Sequence, residues 1–269
     1  YIYHFEEFDC NIEVDFKNNK ILYPEDKGLV VNGKQTCNLS DNENFVVLEC
    51  IHRLLLKGYK PSHIEIEKRW TLGHSQKSGR ADICVMNETG NDMLAIIECK
   101  TYGAEFENEL KKLKADGGQL FSYYQQEQST KWLMLYAAGF VNNKIEHQAN
   151  TISVFDTEEV LEKFTKNKSI KLYEDAHSKE KAFDVWKETY EQKSSGDLIF
   201  SDDTIAYNIG EKPLRKRDLK QFNPKDKIVN KFEEILRHNN VSDKENAFNK
   251  LVALFICKLV DEITKKDDD

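Results

Sequence analysis

The sequence predicts an α/β fold: a central mixed β-sheet flanked by helices, with a C-terminal helical segment beyond it. Two observations carry that expectation. From residue 40 to residue 155 the chain reads helix, strand, strand, strand, helix, strand, then one more strand. Past about residue 156 the pattern turns helical, and the last long amphipathic stretch has its own start signal.

Residues 1–39 read as strand-rich and irregular, with runs at Asn11–Asp15, Lys20–Tyr23 and Gly28–Val31. Ser40-Asp-Asn-Glu43 has the form of a capping box, in which Ser40 accepts from the third helical amide and Glu43 reaches back. The helix it opens runs to Lys57 and stops at Gly58. Its apolar stripe reads as Phe45, Leu48, His52, Leu55 and Leu56, which places the acid Glu49 inside the stripe. An acid there costs stability unless it meets a cation. His52 is read as a packed residue rather than a ligand.

His63–Trp70 alternates as a strand does, and a loop over 73–79 leads into a second strand that carries Asp82. Glu88-Thr-Gly-Asn-Asp92 is a turn, and the apolar run Met93–Ile97 ends in Glu98-Cys99-Lys100. Helices are expected near 105–115 and again after Gly117-Gly118. Strands are expected at Lys131–Tyr136 and Thr151–Phe155, and an amphipathic helix at Lys179–Gln192. Trp132 and Trp186 are assigned to the core. Residues 193–222 mix Ser, Gly, Asp and Lys and read as a linker. Asn223-Pro224 starts a helix to about Arg237. Ser242-Asp-Lys-Glu245 is a second capping box, opening a helix with a stripe of Phe248, Leu251, Val252, Phe255 and Leu259.

Composition narrows the function. The 269 residues are 39% hydrophobic and 32% charged, as in a well-hydrated globular protein, and no apolar run approaches a bilayer span. No basic-plus-apolar leader is visible, so a cytoplasmic protein is expected; the first residue is Tyr rather than Met, as in a fragment of a longer chain. The six cysteines form no C-x-x-C pair and read as reduced core residues, not a zinc site or disulfide frame. A formal charge of −8 argues against a broadly basic DNA-coating surface. It leaves room for a cation-binding site, whose acids add negative charge.

The chemistry concentrates at the end of the apolar run. Side chains two apart on a strand share a face, so Glu98 and Lys100 are expected on the face of Leu94 and Ile96. Asp82, on the preceding strand, can be their neighbour. Mg²⁺ prefers oxygen ligands and commonly takes one or two carboxylates plus phosphate and water. Asp82, Glu98 and the Cys99 main-chain carbonyl form such a set, and Glu49 from the first helix is a further candidate, directly or through water. Lys100 would orient the attacking water and offset transition-state charge. Arg80 reads equally as a phosphate contact or as a salt bridge. His74 and Lys77 in the 73–79 loop read either as DNA-facing or as solvated, and so does the basic run Leu214–Arg217.

This pattern resembles the PD-(D/E)XK nuclease superfamily: Asp82 for the first metal acid, Glu98 and Lys100 for the E-x-K, Glu49 for the acid on the first helix, with Ala81 where the family has its nominal proline. Gln119-Leu-Phe-Ser-Tyr123 resembles the Q-x-x-x-Y element of the nuclease domains of type I restriction enzymes. Residues four apart on a helix share a face, and there the resemblance implies a DNA backbone or nucleotide contact by Gln119 and Tyr123. The stretch from Glu43 to Ala137 resembles nuclease regions fused to N6-adenine DNA methyltransferases, and 245–262 resembles the helical segment before such a methylase.

The resemblance implies a restriction-endonuclease-like core over 1–192, a linker over 193–222, and a helical segment over 223–269 leading to a methylase or motor domain. It implies Mg²⁺, with Mn²⁺ as a substitute, as cofactor. It also implies duplex DNA as substrate, and methyltransferase and specificity modules as partners. No methylase motif and no Walker-type loop occurs in the chain. Two other readings stay open: a structure-directed repair nuclease, and a non-cleaving nuclease-fold scaffold that docks a methyltransferase or binds DNA.

Overall fold

The computed structural model describes residues 1–70, 79–211 and 244–264. It divides into two units, Tyr1–Glu211 and Lys212–Asp269. The first is an α/β unit with a mixed sheet of six strands and a second sheet of three.

The small sheet is an antiparallel meander of β1 (Ile2–Phe5), β2 (Cys10–Asp15) and β3 (Lys20–Leu22). The large sheet has the order β4 (Val30–Val31), β5 (Ile64–Arg69), β6 (Arg80–Met86), β7 (Met93–Thr101), β8 (Trp132–Val141) and β9 (Lys144–Ser153). Its β4–β5 and β7–β8 pairs are parallel and the rest antiparallel. The helix α1 (Asn42–Lys57) covers one face; α2 (Ala104–Asp116), α3 (Gly118–Gln126) and α5 (Lys179–Glu188) cover the other, with α4 (Glu158–Lys166) beside them.

Alternation along the strands feeds two cores. Ile83, Val85, Ile97 and Cys99 face α1, while Cys84 and Ile96 face Phe121 and Trp186. Leu94 departs from the expected phase. Met86 pairs with Met93 and Val85 with Ala95, so Leu94 is an extra residue, a β-bulge. The bulge puts Leu94 in the α1-side core, away from the face of Ile96 and Glu98.

On α1 the cap and the phase both differ from the sequence reading. Asp41 is the N-cap and accepts from the Glu43 amide at 3.0 Å; Ser40 instead accepts from Asn19. The buried stripe is Val47, Cys50, Ile51, Leu54 and Leu55, and the expected members Phe45 and Leu56 are exposed. Gly58, at φ 100°, closes the helix as expected.

The strands at the far edge run longer than expected. β8 and β9 join through Asn142-Asn143, both at positive φ, the backbone of a tight hairpin turn. Their outer halves carry exposed residues such as Phe140, which obscures a two-residue alternation. In β8, Gly139 packs on Tyr102 so closely that an added Cβ would stand 2.5 Å from the tyrosine Cβ. Gly139→Ala is expected to lower stability by about 1–3 kcal/mol through overpacking, read as a drop of several degrees in melting temperature.

The segment 193–211, part of the expected linker, is packed instead. Ser195 and Thr151 exchange backbone hydrogen bonds, Asp197 pairs with Arg53 at 2.8 Å, and Ile199, Phe200 and Ile209 enter the α1-side core. Trp132 and Trp186 are core residues, and α5 ends at Glu188, short of the expected Gln192. His52 packs against Tyr3 and Phe5.

In the second unit, α6 (Lys244–Thr264) spans the expected final helix. The expected helix from Asn223, most of the 73–79 loop with His74 and Lys77, and Leu214–Arg217 lie outside the described residues. Cys10, Cys50, Cys84 and Cys99 are buried thiols, and no disulfide forms among the described residues. No helix of the described residues is long and apolar enough to cross a membrane.

Candidate active site

The site is built by a fork in the sheet. β6 and β7 pair from Met86 down to Ile83↔Ile97 and then separate. Beyond that point β6 stays with β5 and β7 stays with β8. The two strands therefore leave a crevice whose walls carry Asp82 and Glu98. Where a backbone carbonyl would have continued the ladder, the Asp82 carboxylate takes its place and accepts from the Cys99 amide at 2.7 Å.

A cavity of about 570 Å³ opens there, lined by Asp82, Glu98, Lys100, Gln119 and Tyr123 and by Glu43 from α1. The Cys99 side chain points into the α1-side core. Its carbonyl faces the site and accepts from the Lys100 ammonium at 2.8 Å. That ammonium also meets Glu98 Oε1 at 2.7 Å and Glu43 Oε2 at 3.4 Å. Three oxygens from three origins thus surround one positive charge. The other Glu98 oxygen, Oε2, is buried; the Tyr123 hydroxyl beside it gives its proton to the Arg80 carbonyl, so Oε2 accepts no hydrogen bond among the described residues.

Burial, then the neighbouring Asp82, pushes the Glu98 carboxyl up to about 8. Burial also raises Asp82, against the pull of Lys100. Burial raises Glu43 as well. Burial works against the Lys100 charge, but Glu98 and Asp82 outweigh it and hold the ammonium above its usual range. Lys100 is the cation in direct contact with Glu98 and Glu43, and Arg80 and Lys179 also line the cavity.

Gln119 and Tyr123 do share a face of α3: the Gln119 side-chain amide donates to the Tyr123 hydroxyl at 3.1 Å. That hydroxyl donates to the Arg80 carbonyl at 2.7 Å, and the ring stacks on Trp70. Tyr123 thus closes the crevice from the α3 side and is itself fixed.

Glu49 is not brought to the cavity. With the stripe of α1 rotated from its expected phase, Glu49 lies on the helix flank, where it accepts from the Tyr136 hydroxyl and meets His147 Nε2 at 2.8 Å. Tyr136 is the register partner of Cys99 and lies in the same α1-side core, across the sheet from Glu98. The acid that α1 does deliver is Glu43. Sequence reasoning missed it by assigning its carboxylate to a capping box. Asp41, an equally good cap one residue after Ser40, was the available signal.

Among the described residues no group of three or more His, Cys, Asp and Glu is arranged to hold a metal ion by side chains alone. A hard cation that takes two carboxylates, one carbonyl and solvent does not require such a group. Asp82, Glu98 and the Cys99 carbonyl offer hard oxygen donors, the type that Mg²⁺ or Mn²⁺ takes rather than a soft metal. No protein-family model matches this chain, and no curated protein matches it.

Proposed function

We propose that this chain is the nuclease part of a restriction–modification enzyme, a Mg²⁺-dependent endodeoxyribonuclease of the PD-(D/E)XK kind acting on duplex DNA in the cytoplasm. The observation that carries the reading is the sheet fork, which brings Asp82, Glu98 and Lys100 to one cavity and leaves Glu98 Oε2 buried there without a hydrogen bond. Methyltransferase and DNA-specificity modules, on the same or partner chains, would supply modification and sequence choice.

Asp82, Glu98 and the Cys99 carbonyl would hold the cation, with Glu43 in the helix role first given to Glu49. When bound, the cation would polarise the phosphate and stabilise the leaving oxygen. The Lys100 ammonium now occupies the oxygens of that set. It would turn toward the phosphate, hold the attacking water in line and offset the charge that builds on the phosphoryl oxygens. Tyr123 and Gln119, fixed to each other, would bound the groove on the α3 side and contact the DNA backbone next to the cut.

Supercoiled plasmid incubated with the protein in Mg²⁺ tests this. Nicked or linear product that EDTA prevents supports the reading; intact plasmid at all Mg²⁺ and Mn²⁺ concentrations refutes it. The two helix acids should separate cleanly. Glu43→Gln is expected to reduce cleavage about ten- to a hundredfold. Glu49→Gln should leave the rate near wild type and lower the melting temperature, because it weakens the contacts with Tyr136 and His147.

A further inference from the structure

The cavity mouth carries a second arrangement that the hydrolysis chemistry does not use. Glu67 lies mid-strand in β5 at φ 59°, a left-handed backbone conformation that a non-glycine residue rarely takes within a strand. Its neighbours Ile66 and Lys68 pair with Ile83 and Ala81, which sets Glu67 across from Asp82. Its carboxylate is 1% exposed. Oε2 accepts from Gln35 at 3.1 Å and meets Arg80 Nε at 2.9 Å. Gly33 makes room for it: a Cβ there would stand 2.9 Å from the same oxygen. Fully burying an acid in a strained strand conformation, against a glycine cradle, is an expensive way to anchor an ordinary surface arginine.

Arg80 is not ordinary in its position. It lines the cavity beside Asp82, and its side chain keeps 40% exposure while its Nε is held by Glu67. Its backbone carbonyl holds the Tyr123 hydroxyl. An Nε anchor leaves the two terminal nitrogens of a guanidinium free to form a planar fork, which matches phosphate oxygens.

Building on the nuclease reading, we propose that Arg80 is a DNA-phosphate-binding residue of the cavity and that Glu67 is its positioning residue. Either role alone would treat the arginine as a phosphate contact or as one half of a salt bridge. The geometry makes the salt bridge the means of the phosphate contact.

The test measures binding of a labelled blunt duplex to the full chain in Ca²⁺, across a range of NaCl concentrations, with melting temperatures recorded for each variant. Arg80→Gln should weaken binding roughly tenfold and reduce the salt slope by about one. Glu67→Gln should weaken binding too, although it removes a negative charge. The double variant should be no weaker than Arg80→Gln alone, because the two residues act as one unit. Tighter or unchanged binding in Glu67→Gln, or additive losses in the double variant, overturns the positioning role. An unchanged salt slope in Arg80→Gln overturns the phosphate contact. Failure of the underlying reading looks different: wild-type protein that binds duplex with the predicted Arg80 and Glu67 effects but cuts nothing in Mg²⁺ removes the nuclease and keeps the phosphate contact. Wild-type protein that binds no duplex removes the proposal.

Discussion

Asp82→Asn is expected to cut no plasmid under conditions where the wild type cuts to completion, a loss of about a thousandfold or more. Its fold should survive, and its melting temperature should match or exceed that of the wild type. Two opposing effects decide this. Asp82 accepts from the buried Cys99 amide, and leaving that donor unpaired would cost about 1–3 kcal/mol. Asparagine keeps an acceptor there, so the cost is avoided, whereas Asp82→Ala incurs it. Removing the charge meanwhile relieves repulsion between Asp82 and Glu98, two carboxyls whose ionised forms burial already disfavours. A variant that is more stable and inactive is the behaviour of a functional acid held at a cost. A variant that unfolds would identify Asp82 as a structural partner instead.

Lys100→Met carries the second large effect, and the opposite sign in stability. Its ammonium neutralises Glu98, which is only 2% exposed, and contributes to neutralising Glu43 and Asp82. Removing one member of a buried pair typically costs about 3–5 kcal/mol while the remaining acid stays ionised, and less at a pH where Glu98, already pushed up by burial, takes a proton instead. For a unit of this size that corresponds to a fall of about 6–20 °C in melting temperature. The metal-free variant should therefore be markedly less stable than the wild type, and also inactive. Mn²⁺ should raise its melting temperature by more than it raises that of the wild type, since the cation no longer competes with the ammonium for Glu98 Oε1 and the Cys99 carbonyl. Calorimetric scans with and without millimolar Mn²⁺ measure both quantities. Equal Mn²⁺ shifts in the two proteins would mean that the ammonium and the cation do not share oxygens.

The parts of the fold visible in the sequence were those set by short-range alternation. Glu98 and Lys100 stand on one face because a strand repeats every two residues, and this survives even though the bulge at Leu94 shifts the strand's beginning. Asp82 reaches the same crevice because the turn at 88–92 is tight and brings β6 back alongside β7. What the sequence concealed depended on phase and on tertiary packing. A helix whose apolar residues nearly encircle it, as Phe45, Val46, Val47 and Leu48 do, has no unique stripe, so Glu49 was read inside it and Glu43 was passed over. The 193–211 segment looked like a linker because its Ser, Gly and Asp residues outnumber the three apolar anchors, Ile199, Phe200 and Ile209, that hold it to the core. The strained Glu67 left no trace in the alternation of β5, since φ is not written in residue type unless a glycine marks it. Its partners Gly33, Gln35 and Arg80 lie elsewhere in the chain, and none of them marks the strain by residue type.

The most direct test is where a divalent cation goes. Crystals of the protein soaked in Mn²⁺, with diffraction recorded near the manganese edge, should show one anomalous peak or more in the fork between β6 and β7. The ion should contact the carboxylates of Asp82 and Glu98 and the Cys99 carbonyl, with the Lys100 ammonium displaced from Glu98 Oε1. A fork that stays free of manganese, with Lys100 still paired to Glu98, would contradict the account and leave the acids as the shell of a structural lysine.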